Sequence, residues 1–120
     1  MLTRIDEGEV VAVEGAPGAA LMAGVQDINR VVEACWGEGA TSALLYAANM
    51  SPGFFDLSTR EAGEVLQKLR NYNIRLALVC PPGEVAFSSR FSELLADEAR
   101  GSYFGVFETR QQAVEWLKKK

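Results

Sequence analysis

Histidine is missing from this 120-residue sequence, and cysteine occurs only twice, at Cys35 and Cys80. The first absence removes the commonest general base and the commonest metal ligand. No clustered cysteine and carboxylate pattern stands in for it, so neither a metal nor a cofactor is expected. Gly15, Gly18 and Gly24 form no G-x-G-x-x-G fingerprint and lead into no G-K-[ST], which excludes the usual phosphate cradles. No apolar stretch approaches the about 20 residues of a bilayer span, and residues 1–6 run on into glutamates rather than an apolar segment. Neither a membrane segment nor a signal peptide is expected. Positive charge is thin as well: 12 Lys and Arg against 16 Asp and Glu leave a net charge of −4, and the one basic run is Lys118, Lys119 and Lys120. A nucleic-acid binder needs a basic face, so nucleic acid is not an expected partner. Both cysteines fall in apolar periodic segments. They read as buried free thiols in a reducing, cytoplasmic setting, with a disulfide or a reactive thiol as the other reading.

What is present is the pattern of a single α/β domain over residues 1–120. Residues 9–14 (EVVAVE) read as a strand, and 19–23 as a second strand pairing back on it. Residues 25–36 carry Ile28, Val31, Val32, Cys35 and Trp36 at the spacing of one helical face, stopped by Gly37 and Gly39. The run 42–48 (SALLYAA) suits a strand covered on both faces, and the loop 49–57 follows it. A helix then starts near Ser58, with Ala62, Val65, Leu66, Leu69 and Tyr72 as its buried stripe. Residues 74–80 form a second continuous apolar strand, ended by Pro81, Pro82 and Gly83. A helix over 88–100, an aromatic strand over 103–107 and a last helix from Thr109 complete the chain, with Ala113, Val114, Trp116 and Leu117 inward. Thr109 and Gln112 have the spacing of a capping box. The order is β-β-α-β-α-β-α-β-α, which calls for a mixed sheet whose core strands are mainly parallel.

The segment Asp56-Leu57-Ser58-Thr59, followed at once by a helix and a buried strand, resembles the turn of STAS domains, the anti-sigma-factor-antagonist fold. Leu57 stands where that family has its first serine, and Thr59 where it has a glycine. A fuller resemblance, carried by FFDL (54–57), AGEVLQKL (62–69) and NYNIRLALV (71–79), is to an uncharacterised bacterial domain-of-unknown-function family of the DUF4180 type. The late segments FSELL and QAVEWL agree with it too. The STAS comparison implies a non-enzymatic regulatory or protein-interaction domain. In STAS antagonists a serine at this helix start is phosphorylated by a partner kinase, which makes Ser58 and Thr59 the phosphorylation candidates here.

The residues themselves allow plainer accounts. Ser58-Thr59-Arg60-Glu61 is S-x-x-E, a capping box that explains both Ser58 and Glu61. Asp56 either caps the turn or meets a ligand or partner. Phe54 and Phe55 either pin the loop to the core or form an interface. A parallel sheet gathers its following segments at the carboxyl edge, so Asp56, Ser58, Thr59, Glu84 and Glu108 are expected neighbours there. That set has no nucleophile–base pair, and no residue is singled out as catalytic. Two readings follow: an interaction domain working through residues 54–61, or a ligand-binding protein or enzyme with a carboxyl-edge crevice. A homo-oligomer is a third expectation.

Overall fold

Strands arise from the apolar runs, and helices from the stripes between them. The computed structural model describes residues 2–7, 10–16, 27–50, 61–81, 83, 89–98 and 103–118. In chain order these form strands β1 (Leu2–Glu7) and β2 (Val10–Gly15), helix α1 (Ile28–Glu38), strand β3 (Ser42–Tyr46) and a 3-10 turn (Ala47–Asn49). Helix α2 (Glu61–Asn71), strand β4 (Arg75–Val79), helix α3 (Ser89–Glu98), strand β5 (Phe104–Phe107) and helix α4 (Arg110–Lys118) follow. The α/β class, the element order and the mixed sheet are as expected from the sequence.

The sheet order is β1-β2-β3-β4-β5, with β1 antiparallel to β2 and every later pairing parallel. Side chains alternate between its faces. Val13, Ala43, Leu45, Leu76, Leu78 and Phe104 point to one side, where they pack with Ile28, Val31, Val32 and Cys35 of α1 and Val65, Leu66 and Leu69 of α2; Leu94 of α3 joins that cluster. Ala12, Leu44, Ala77 and Val79 point to the other, under Ala113, Val114 and Leu117 of α4. A monotonic strand order with crossovers of one hand sends successive helices to the same face. Only α4, which has no further strand to feed, is seen to fold back over the opposite face. Burial on both sides is why β3 and β4 are continuously apolar rather than alternating.

The ends of α1 show how local chemistry sets the boundaries. Gly39 takes φ 67°, and its N–H and that of Ala40 reach back to the carbonyls of Trp36 and Cys35. That left-handed stop favours glycine. The helix therefore runs on to Glu38, past the expected end at Trp36, with Gly37 inside it; the expected positions 25 and 26 lie outside the described residues. At the other end of the fold, the Thr109–Gln112 box is formed. Thr109 Oγ1 accepts from the Gln112 N–H at 3.2 Å, and Gln112 Oε1 accepts from the N–H groups of Thr109 (3.3 Å) and Glu108 (3.1 Å).

Three expectations need correction. The strand at 9–14 is present as β2, but the hairpin partner found for it is β1, ahead of it in the chain, whereas the segment 19–23 lies outside the described residues. Arg4 and Asp6 hide β1 from a search for apolar runs, yet an edge strand tolerates charge. Trp36 and Tyr72, placed on buried stripes, are 63% and 39% exposed and pack edge-to-face on each other with ring centroids 5.0 Å apart. Trp36 lies about 40° beyond Val32 on the side away from Val31 and Cys35, and so falls outside the stripe. Trp116 is only half-buried, tilted against Phe107 at 5.4 Å, with the Arg75 guanidinium 4.4 Å above its ring. Arg75 also donates to the carbonyls of Leu117 (2.9 Å) and Trp116 (3.3 Å), a cation at the negative end of α4.

Candidate functional site at the carboxyl edge

The parallel register puts the ends of β2 and β3 side by side, with Glu14 opposite Leu44 and Tyr46 two residues further along the same face. α4 begins above them. Three polar side chains therefore meet where the strands end. Arg110, the first residue of α4, donates from Nε to Glu14 Oε2 at 2.8 Å and from Nη2 to Oε1 at 3.3 Å. The Tyr46 hydroxyl donates to the same Oε2. Glu14 keeps only 17% of its side-chain surface in solvent, while Arg110 keeps 41%.

Directly behind this trio sits Asn49, fully buried in the 3-10 turn. Its Oδ1 accepts the Tyr46 N–H at 2.8 Å, and its Nδ2 donates to the Ala16 carbonyl at 2.7 Å. Asn49 thus ties the end of β3 to the segment leaving β2. The approach is close enough that a Cβ on Gly15 would lie 2.3 Å from Asn49 Oδ1. Gly15 is required here for space, not for backbone freedom.

Electrostatics keep the trio in one protonation state. Burial acts to raise the Glu14 carboxyl, but the hydrogen bonds from Arg110 and Tyr46 and the nearby guanidinium charge together hold it below its ordinary value. Burial, reinforced by Glu14, pushes the Tyr46 phenol up to about 12. The result is an ionised carboxylate locked between a guanidinium and a neutral phenol. It is a clasp rather than an acid–base pair, because no member titrates near neutrality. Cys35 and Cys80 are both buried, and burial pushes the Cys35 thiol up to about 11, away from the reactive thiolate. Among the described residues no group of three or more cysteine, aspartate or glutamate side chains could hold a metal ion, and no helix is long and apolar enough to cross a membrane.

Of the residues singled out from sequence, Phe54, Phe55, Asp56, Ser58, Thr59 and Glu84 lie outside the described residues. Glu61 is the first residue of α2. Glu108 is exposed between β5 and α4, where its backbone N–H donates to Gln112 Oε1. Glu14, Tyr46, Asn49 and Arg110 were not singled out. Glu14 sits at the end of an apolar run, a polar residue where the strand pattern breaks, and that is the one trace the four leave in the sequence.

Neither a curated protein nor a solved structure matches this chain. A family model does, across residues 7–117, and its description is a domain of unknown function (DUF4180). The match covers all but the ends of the sequence, and the chain belongs to the DUF4180 family.

Proposed function

We propose that this chain is a non-enzymatic, STAS-like regulatory or protein-interaction domain whose working surface is the segment 54–61. In this reading Ser58 and Thr59 are phosphorylated by a partner kinase, and Phe54, Phe55, Asp56 and Glu61 make the partner contact.

The observation that carries the choice is the strand order. It runs from β1 to β5 without reversal. Open α/β sheets take small ligands where the order reverses and neighbouring loops part to opposite faces. Between β2 and β5 the connecting helices α1, α2 and α3 all pack on one face, so this sheet has no such parting among its described strands. The side chains of the charged trio at the carboxyl edge are tied to one another by hydrogen bonds, which favours a surface that binds over a pocket that reacts. Ser58 and Thr59 lie three and two positions ahead of the first residue of α2. Phosphate charge near a helix start is favoured by the helix dipole, whereas phosphate in an apolar contact repels it, so modification there suits a switch.

The test is affinity capture from the native cells with wild type, Phe55→Ala and Ser58→Asp as baits, alongside phosphopeptide mass spectrometry of the purified chain. A partner retained by wild type and lost from both variants, with phosphate on Ser58 or Thr59, is the expected outcome. Identical captures by all three baits, or a partner that releases on addition of a metabolite, would move the reading to the carboxyl-edge crevice with Asp56, Glu84 and Glu108.

A further inference from the structure

The outer edge of the sheet is self-complementary. β1 pairs with β2 alone among the described residues and is the outermost described strand on that side. Its register sets Arg4 opposite Val13 and Asp6 opposite Val11, hence on the face covered by α1 and α2, while Ile5 lies opposite Ala12 on the α4 face. Arg4 and Asp6 keep 46% and 54% of their side-chain surface exposed and stand 4.0 Å apart. Ile5 is half-buried.

We propose that a second copy of this chain docks on β1, the two β1 strands pairing antiparallel about a two-fold axis centred on Ile5. A two-fold axis perpendicular to the sheet keeps like faces together, so only residues of the same parity oppose one another. Of the centres within the strand, those at Arg4, Ile5 and Asp6 set these two charges against themselves or against each other. An axis at Arg4 sets arginine against arginine. An axis at Asp6 sets aspartate against aspartate. At Ile5 the axis sets Arg4 of each copy against Asp6 of the other, with the two isoleucines between them on the opposite face. Opposite charges directly across a ladder stabilise it and like charges destabilise it, so charge alone selects the register centred on Ile5. The outward N–H and C=O groups of β1 gain partners at the same time.

A single six-residue edge buries less than the roughly 1,200 Å² of a lasting interface, so the dimer is a concentration-dependent one. The opposing account of Arg4 and Asp6 is that edge charges serve to keep strands apart. The two accounts part on charge reversal. Arg4→Asp leaves two aspartates facing two aspartates across the axis, and Asp6→Arg leaves four arginines there. Mixed one to one, the two variants restore both opposite pairs.

Sedimentation equilibrium over a wide concentration range, with circular dichroism melts to show that each variant is folded, tests this directly. Wild type is expected to dimerise, and each single variant to dimerise roughly tenfold more weakly or worse. The equimolar mixture and the double variant Arg4→Asp/Asp6→Arg are expected to recover wild-type association. A wild type that stays monomeric throughout overturns the proposal. So do single variants that dimerise as wild type does, or folded variants whose mixture fails to recover. None of these outcomes depends on the binding role assigned to residues 54–61.

Discussion

Arg110 holds Glu14 across 96 positions of sequence, through a forked pair of hydrogen bonds at 2.8 and 3.3 Å. The contact anchors the start of α4 to β2, three strands from the β5 strand that α4 follows. Because Glu14 is mostly removed from water, losing its partner leaves a desolvated carboxylate. Arg110→Ala is therefore expected to cost about 1–2 kcal/mol in urea unfolding, toward the lower figure because the guanidinium is partly exposed. Arg110→Lys keeps the charge but cannot fork, and should recover less than half of the loss. Full recovery by lysine would show that charge, not geometry, carries the contact.

Acid should weaken this clasp. The Glu14 carboxyl titrates below its ordinary value in the folded chain, because Arg110 and Tyr46 outweigh the effect of burial. A depressed folded value stabilises the fold above the unfolded one, and the contribution is lost as pH falls through the folded one. The melting temperature of wild type should thus exceed that of Glu14→Gln at neutral pH, and the gap should narrow from about pH 4.5 downward. A gap that stays constant into acid would mean that Glu14 is not held ionised.

Alkali acts on Tyr46 by the opposite route. Burial and the facing Glu14 carboxylate push the phenol up to about 12 from 10.0. The folded chain therefore keeps the proton after the unfolded chain has lost it, and stability falls between those two values. Ultraviolet difference titration should show a tyrosinate transition near pH 12 that Tyr46→Phe removes, along with part of the alkaline loss of stability.

The fold was legible in the sequence where burial is two-sided and the site was not, for a related reason. SALLY and RLALV announce β3 and β4 because no face of those strands meets water. The Thr109–Gln112 box is a local signal whose partners lie within one turn, and it forms as expected. β1 is hidden because Arg4 and Asp6 break the apolar pattern of a strand that pairs with β2 alone among the described residues. The Gly8-Glu9 link between β1 and β2, glycine first of two, is a hairpin signal that would have found it. Glu14, the neighbouring pair Tyr46 and Asn49, and Arg110 come from three separate segments. Only the parallel register and the return of α4 over the sheet bring them together, so no scan along the chain could have.

Two glycines make opposite predictions for one substitution. Gly15 ends β2 against the buried Asn49, and an added Cβ would fall 2.3 Å from Oδ1 and 3.1 Å from a Leu45 methyl. Asn49 cannot retreat without giving up the Tyr46 N–H or the Ala16 carbonyl. Gly15→Ala should accordingly destabilise by about 1–3 kcal/mol, the usual result of overpacking. Gly63 lies exposed in α2, and a Cβ there meets nothing within 4 Å. Its replacement only removes backbone freedom from the unfolded chain and improves helix propensity, so Gly63→Ala should stabilise by about 0.5–1 kcal/mol. Urea unfolding of both variants under one condition decides the matter. If Gly15→Ala matched wild type, the close approach of Gly15 and Asn49 would be wrong, and with it the link that holds Tyr46 in line with Glu14.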